Sequence, residues 1–182
     1  MNIHYETKNL ILRNLQEEDC FELQNYLLVN KEFLEEWSPK VDEDFYDISK
    51  LKKMINDDNK NIGSKSSLKL HIFLKENNKL IGSIGLSNIV YGAFLSCFLG
   101  YKLHKNYTKR AYMSEALEKI IDIAFNELKL HRIEANIMPK NLASQKLVQK
   151  FSFENEGLSK KYLKINGLWE DHYHYVLLND KL

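Results

Sequence analysis

The sequence predicts one domain of the mixed α/β (α+β) class, with a mostly antiparallel sheet of about seven strands and about four helices. Three observations predict this class: strand-like segments in the middle of the chain, a long segment of helical periodicity after them, and an Asn-Gly turn near the end. The 182 residues fit a single domain over residues 1–182. A domain of this size buries roughly 70% of the surface of its unfolded chain, so its fold needs no disulfide or metal.

Composition and charge argue against several classes of protein. Hydrophobic residues make up 44% of the chain and aromatic residues 12%, which is too much for a disordered protein. The 26 basic and 25 acidic residues leave a net charge of +1, which argues against direct binding of nucleic acid. Cys20 and Cys97 lie far apart, and each is expected to be a buried apolar residue. This cysteine usage favours a cytoplasmic protein, and residues 1–30 contain no apolar signal segment.

An uncharged stretch, Leu80–Tyr101, resembles a membrane segment only at first sight. It holds four of the seven glycines together with several serines and an asparagine. A membrane-spanning helix needs ~20 mainly apolar residues. Two strands joined at Tyr91-Gly92 fit the pattern better, and we expect no contact with a membrane.

The N-terminal part of the chain predicts one strand and two helices. Leu10–Leu12 is a short apolar strand. Glu17–Val29 is a helix, because its apolar residues recur at i, i+3 and i+4. Asp42–Lys60 is a polar helix with one apolar face, and the chain over Asn56–Ser67 is expected to be a flexible loop.

The remaining chain alternates between strands and helices. Three strands are predicted at Leu68–Leu74, Leu80–Ile89 and Phe94–Leu103. The strongest periodic signal is a helix over Ala111–Leu128. A strand over Arg132–Met138, a helix that begins at Asn141, and two strands within Phe153–Leu178 that turn at Asn166-Gly167 complete the order.

The segment Gly100–Ala116 is the first candidate for chemistry. A strand runs through a short loop into the long helix, and a helix N-terminus presents free N–H groups that bind phosphate. Lys105, Lys109 and Arg110 add positive charge there. The alternative is a solvated basic turn, and the local sequence favours it because no glycine in the loop lets the backbone approach a ligand closely.

The second candidate is the start of the helix after Pro139. Asn141 is a good N-cap residue, and Ser144 lies three residues further on, on the same side of the helix. The alternative is an ordinary helix cap beside an exposed serine.

Taken together, these motifs resemble the GNAT N-acetyltransferases, and most closely the RimJ/RimL type that acetylates the N-termini of proteins, notably ribosomal proteins. The resemblance covers nearly the whole chain. It rests on residues 10–15, 18–19, 33–37, 100–116, 131–144, 150–153, 156–157 and 166–171. It implies the acyl-CoA N-acyltransferase fold and acetyl-CoA as co-substrate.

The resemblance also implies which residues hold acetyl-CoA, and this chain departs from the family there. In the family, a Gln/Arg-x-x-Gly-x-Gly/Ala loop holds the pyrophosphate with its amides, whereas this chain has Thr108, Ala111 and Met113 at the three patterned positions. We expect Ala111 to adopt a right-handed conformation and CoA binding to be retained, with loss of binding as the alternative. The implied cofactor-binding residues are Tyr101, Leu103, Thr108, Lys109, Arg110, Ala111, Tyr112, Met113, Asn141 and Ser144.

A second departure concerns proton donation to the leaving thiolate. The family's tyrosine falls on Val148, which carries no proton to donate, so Ser144 is the candidate. The base that takes the proton of the amine is expected to be Glu36. The other candidates are Glu170, Asp171 and His172.

These residues leave three functions open. The first is acetylation of a protein N-terminus, with direct attack of the amine and no covalent enzyme intermediate. The second is acetylation of a small amine such as a polyamine, an amino sugar or an antibiotic, and the third is a non-catalytic acyl-CoA-binding module. His172 and His174 share a strand face but have no evident third ligand, so no metal is expected. The aromatic C-terminal strand is a candidate for pairing two subunits in a homodimer.

Overall fold

A single mixed sheet organises the computed structural model of the chain, which describes residues 2–181. Within this range eight strands pair in the spatial order β1-β2-β3-β4-β5-β6-β8-β7. All neighbours are antiparallel except β5 and β6. The strands are β1 (His4–Glu6), β2 (Leu10–Arg13), β3 (Leu68–Leu74), β4 (Leu80–Val90), β5 (Ser96–Leu103), β6 (Arg132–Ile137), β7 (Glu154–Ile165) and β8 (Leu168–Leu178).

Five α-helices in the described residues cover the two faces of this sheet. They are α1 (Cys20–Val29), α2 (Lys31–Glu35), α3 (Ile48–Gly63), α4 (Tyr112–Asp122) and α5 (Leu142–Lys150). α4 continues into a π-helical turn over Ile123–Glu127. Short 3₁₀ turns over Glu17–Asp19, Glu43–Tyr46 and Lys105–Tyr107 precede α1, α3 and α4.

The apolar core has two parts, one on each face of the sheet. Ile72 and Phe73 are consecutive on β3 and point to opposite faces. Ile72 belongs to the larger cluster, which includes the buried residues of α4 and Val148 of α5. Phe73 belongs to the smaller cluster, which includes the buried residues of α1 and α3. The helices α4 and α5 therefore lie on one face, and α1 and α3 lie on the other.

The sheet opens between β5 and β6. These two strands pair only through Ser96–Phe98 with Arg132–Glu134. Beyond that point, β5 continues to Leu103 and β6 to Ile137 without pairing to each other in the described structure. The two strands thus leave a cleft through the sheet at their carboxyl ends.

The structure confirms most predicted elements and corrects three details. Asn56–Ser67 is not one loop, because α3 extends to Gly63 and leaves only a short connection to β3. The short elements β1 and α2 were not predicted, since three and five residues are too few to show a period. Cys20 and Cys97 are both buried, as expected. None of the helices found in residues 2–181 is long and apolar enough to span a membrane.

His71 on β3 makes the stability of the fold depend on pH. Its side chain is buried, and burial together with the nearby charges of Lys69 and Arg13 holds its pKa well below the ordinary value. The unfolded chain therefore binds a proton at His71 below about pH 6.5, whereas the folded chain does not. The contribution of neutral His71 to the free energy of unfolding is therefore complete above about pH 6.5 and is lost progressively as the pH falls below that value.

We expect the free energy of unfolding of His71→Phe to fall less than that of the unsubstituted protein as the pH is lowered. One such histidine contributes up to about 1.4 kcal/mol per pH unit below the pKa of the unfolded state. Urea unfolding at pH 7.5 and pH 5.5 measures the decline, with His131→Phe on the exposed surface as the control. An equally steep decline in His71→Phe and in the unsubstituted protein would contradict the assignment. A smaller decline is expected to remain, because the pKa values of His104 and His172 are also lowered by burial.

Candidate active site

The cleft between β5 and β6 brings two predicted site residues together on the α4/α5 face. Tyr101 on β5 reaches the first turn of α5, where its hydroxyl oxygen lies 3.4 Å from the carbonyl oxygen of Ser144. Burial raises the pKa of Tyr101 to about 12, so the hydroxyl keeps its proton at neutral pH. Leu103, two residues along β5, packs half-buried against the same core.

The start of α5 has the predicted cap. The side-chain oxygen of Asn141 accepts a hydrogen bond from the backbone N–H of Ser144 at 3.1 Å. Such caps contribute about 1 kcal/mol to stability. Asn141 and Ser144 are both half-buried at the edge of the cleft, whereas Val148 is fully buried one turn further on.

The loop before α4 differs from expectation in its backbone. Ala111 has φ 64° and ψ 0°, which is left-handed rather than right-handed, and Lys109 is also left-handed with φ 61°. These are positions where glycine is the usual residue. The alternation of conformations turns successive N–H groups toward one side, and such backbone concavities bind anions.

The N-terminus of α4 adds further donors to this loop. Ala111 is the N-cap residue, and no side chain caps the helix there. The first N–H groups of the helix, beginning with Tyr112 and Met113, therefore have no acceptor within the helix. The side chain of Met113 is buried in the core, so at this position only the backbone is available to a ligand.

The tip of the loop before α4 carries positively charged side chains. Lys109 and Arg110 are exposed, and the guanidinium of Arg110 lies 5.6 Å from the ring centre of Tyr107. Thr108 uses its hydroxyl to donate to the carbonyl of Lys105 at 3.0 Å, which fixes the start of the loop. The loop thus presents both amides and cationic side chains to an anion.

Glu115, the acidic residue in the first turn of α4, forms its hydrogen bonds with residues of the β1–β2 turn. It accepts hydrogen bonds from the backbone N–H of Asn9 at 2.6 Å and from the side chains of Thr7 and Asn9. Burial acts to raise the pKa of Glu115, but these bonds outweigh it, and the pKa lies below the ordinary value. The carboxylate therefore ties α4 to the β1–β2 turn.

We expect Ala111→Gly to preserve or raise stability. A left-handed conformation costs an alanine roughly 1–2 kcal/mol, whereas glycine adopts it freely and loses about 0.4–1 kcal/mol through its more flexible unfolded chain. The matched control is Ala143→Gly in the right-handed first turn of α5, which is expected to lower stability by up to about 1 kcal/mol. Thermal unfolding of both variants measures whether the changes in stability have opposite signs. Equal losses of stability in Ala111→Gly and Ala143→Gly would argue against a left-handed backbone at Ala111.

The opposite face of the cleft is open to solvent. A cavity of about 340 Å³ lies over β3, β4 and β5, and Gly100, Ser83 and Ser87 are among its lining residues. No atom lies within 4 Å of the position that a Cβ of Gly100 would occupy. A ligand on this face can therefore approach the free edge of β5.

The candidate bases from the sequence lie in different surroundings. Glu36 is exposed at the end of α2. Glu170 accepts a hydrogen bond from Lys140 at 2.7 Å, and Asp171 accepts one from the backbone N–H of Lys161 at 2.8 Å. His172 is buried, with Nδ1 3.0 Å from the carbonyl oxygen of Glu170.

The structure also places Ser159, His174 and Glu134 in hydrogen-bond contact, an arrangement that the sequence did not reveal. The three residues come from three different strands, so no local spacing could have shown it. No three His, Cys, Asp or Glu side chains among residues 2–181 are grouped so that they could hold a metal ion.

Comparisons with known proteins agree with this geometry. The family described as "Acetyltransferase (GNAT) domain" matches residues 9–154. The chain is 36% identical over 172 residues to the probable N-acetyltransferase YjcK of Bacillus subtilis, with 94% of this chain and 95% of that protein covered.

Two solved structures share the whole architecture. A ribosomal-protein-S5-alanine acetyltransferase from Vibrio fischeri superposes with a TM-score of 0.92 at 30% identity, covering 98% of this chain and 97% of that one. RimJ of Mycobacterium smegmatis, solved in complex with CoA-disulfide, superposes with a TM-score of 0.89 at 26% identity, covering 95% and 83% of the two chains.

Proposed function

Because this chain belongs to the GNAT acetyltransferase family, we propose that it acetylates the N-terminal α-amino group of a protein, such as a ribosomal protein. The chain is an acetyl-CoA-dependent N-acetyltransferase. Acetyl-CoA supplies the acetyl group as a thioester. The cleft through the sheet supports binding from two sides. The cofactor binds from the α4/α5 face, and the acceptor enters from the opposite face.

In this proposal the residues of the α4/α5 face hold acetyl-CoA. The backbone amides from Lys109 to Met113 bind the pyrophosphate, assisted by the positive charge of Lys109 and Arg110. Free N–H groups of β5, between Tyr101 and Leu103, stabilise the oxyanion that forms when the amine attacks the carbonyl carbon. Ser144 donates a proton to the thiolate as it leaves, which an exposed or half-buried hydroxyl can do and Val148 cannot.

The observation that carries the choice of acceptor is the open face around Gly100. A protein N-terminus needs a groove through which an extended chain can leave the site, whereas a small cation is best held in a closed acidic pocket. The cavity over β3–β5 is open to solvent, and Ser83, Ser87 and Gly100 contribute only small side chains or none to its lining. The relatives named for ribosomal-protein acetylation support the same choice.

The experiment combines acetyl-CoA with a panel of peptides that have free N-termini, including ribosomal-protein sequences that begin with alanine. Mass spectrometry locates the acetyl group, and the same peptides with a blocked α-amine are the control. A panel of polyamines, amino sugars and aminoglycosides tests the small-amine alternative. Acetylation of small amines alone would overturn the proposal, and calorimetric binding of acetyl-CoA without transfer to any amine would favour the non-catalytic module.

Gly100→Val is a matched variant that keeps the fold but is expected to restrict the access of the acceptor. The added side chain enters open space in this structure, so we expect the fold to be retained. It also narrows the passage beside the free edge of β5, and peptide acetylation is expected to fall by at least about tenfold, the effect of losing 1.4 kcal/mol of transition-state stabilisation. Unchanged acetylation by Gly100→Val would place the acceptor elsewhere.

Two further features belong to this proposal. Both cysteines are free and buried, which suits a protein that works in the cytoplasm. Leu168 and Trp169 are 68% and 60% exposed at the β7–β8 hairpin, which makes the hairpin the candidate contact of a homodimer.

A further inference from the structure

The cavity over β3–β5 contains a lysine that has no anionic partner. Lys102 on β5 is one of the residues that line this cavity of about 340 Å³. The other lysine of the lining, Lys69 on β3, is paired with Asp58 on α3, with Nζ 2.9 Å from Oδ2. Lys102 forms no ion pair with any carboxylate among residues 2–181. The two lysines and one aspartate of the lining therefore leave one uncompensated positive charge, at Lys102.

The strand pairing places Lys102 beside the bare part of the cavity floor. Alternation along β5 puts Lys102 and Gly100 on the same face of the sheet. Gly100 pairs across the strands with Gly85, and Gly85 pairs with Lys69. Neither glycine has a side chain, so the floor between Lys69 and the free edge of β5 is backbone alone. Lys102 lies in the next row of the sheet, where it pairs with Ser83.

Lys102 also belongs to the segment that is proposed to bind the reacting acetyl group. The free N–H groups between Tyr101 and Leu103 are the proposed donors to the oxyanion. On β5 the pairing with β6 ends at Phe98, so this segment lies at the free edge. Successive residues of an extended acceptor chain advance by about 3.3 Å. The second and third residues of an acceptor whose amine has reached the acetyl group are therefore within the reach of the Lys102 side chain.

The surroundings of Lys102 disfavour a charge without a partner. Partial burial and the nearby charge of Lys69 lower the pKa of Lys102. His71, in the same row of the sheet, has a pKa held well below its ordinary value, so it is neutral and adds no further charge. A carboxylate beside Lys102 compensates the lost hydration of the ammonium through a charge-assisted hydrogen bond. A second ammonium of a polyamine or an aminoglycoside is repelled there.

We propose that Lys102 selects acceptor N-termini that carry an aspartate or a glutamate at the second or third residue. The inference rests on the function proposed above. The ammonium of Lys102 donates a hydrogen bond to the side-chain carboxylate of the acceptor, while the α-amine lies over the bare floor beside Gly100. The contact holds the start of the acceptor chain in the cavity and takes no part in proton transfer. Lys102 is therefore a residue that determines specificity, not a catalytic residue.

The test compares kcat/KM for peptides that begin with alanine and differ only at the second or the third residue. Glutamate, glutamine and lysine are placed there in turn, and all other side chains are uncharged. The unsubstituted protein should prefer glutamate to glutamine at one of the two positions by about tenfold, which corresponds to about 1.4 kcal/mol. The lysine peptide should be the poorest acceptor. Because the ratio is taken within one protein, a general loss of activity in a variant cancels.

Three variants of Lys102 assign the preference to this side chain. Lys102→Gln should reduce the ratio of glutamate to glutamine peptides to about one, and Lys102→Arg should retain the preference. Lys102→Glu should reverse it in favour of the lysine peptide. The affinity of Lys102→Gln for acetyl-CoA, measured by calorimetry, should change little, because the side chain lies on the face opposite α4 and α5.

Lys65→Gln is the matched control. It removes an equal charge two residues before Ser67 of the cavity lining, but Lys65 is exposed and does not line the cavity. Its ratio should equal that of the unsubstituted protein. An equal loss of preference in Lys65→Gln and Lys102→Gln would assign the effect to long-range attraction and overturn the proposal.

Two further outcomes would also overturn the selection by Lys102. One is an equal kcat/KM for the glutamate and glutamine peptides at both positions in the unsubstituted protein, and the other is a preference that survives in Lys102→Gln. In both cases peptides are acetylated, so the proposed function stands. Absence of acetylation of any peptide would overturn the proposed function and the selection together.

Discussion

Replacing Ser144 with alanine is expected to lower the turnover of acetyl transfer by roughly 10²–10⁴-fold, the usual cost of losing a general acid. The hydroxyl lies in the first turn of α5, half-buried beside the cleft, and its backbone N–H is already held by Asn141. Removing one oxygen there leaves the helix cap in place, so stability should change by less than about 0.5 kcal/mol. Steady-state kinetics with calorimetry of acetyl-CoA binding separates the two effects, because affinity should be nearly unchanged.

Tyr101→Phe is the matched control for this prediction, because Tyr101 carries the other hydroxyl at the same place. Its oxygen lies 3.4 Å from the carbonyl of Ser144, and burial raises its pKa to about 12. The hydroxyl of Tyr101 already donates its proton to that carbonyl oxygen. A large loss of turnover in Tyr101→Phe with full activity in Ser144→Ala would reverse the assignment, and full activity in both would leave water as the donor.

The sequence predicted the parts of this site that depend on local spacing. Asn141 and Ser144 are three residues apart, and the predicted cap between them is present at 3.1 Å. The loop from Thr108 to Met113 was identified through the resemblance to the GNAT family, because the local sequence alone favoured a solvated basic turn. Periodicity and capping are local properties of the chain, so they can be read without the fold.

The sequence did not predict features that depend on backbone handedness or on pairing between distant strands. Ala111 was expected to be right-handed, and the structure gives φ 64° because the loop must turn sharply from β5 into α4. Glu134 and His174 are 40 residues apart and meet only because β6 pairs with β8. Ser159 joins them only because β7 is bulged, and bulges have no reliable signal in a single sequence.

The double variant Lys109→Glu/Arg110→Glu is expected to weaken acetyl-CoA binding by about 5- to 150-fold, corresponding to roughly 1–3 kcal/mol. Both side chains are exposed at the tip of the loop, next to the backbone N–H groups proposed to bind the pyrophosphate. The substitution replaces two positive charges with two negative charges but leaves those amides in place. Binding should therefore be weakened rather than abolished. Calorimetric titration with acetyl-CoA measures the change.

The control for this variant is Lys52→Glu/Lys53→Glu on α3, which changes the net charge equally on the other face of the sheet. Long-range attraction alone would weaken binding in both variants to a similar extent, whereas direct contact affects only the loop variant. Added salt should discriminate further, because exposed charges are screened within about 10 Å at 0.1 M ionic strength. Affinity of the unsubstituted protein should fall as salt is added, whereas affinity of the loop variant should rise, because salt screens the repulsion between its two carboxylates and the CoA phosphates. If both double variants bind acetyl-CoA as tightly as the unsubstituted protein, the phosphates do not lie at this loop.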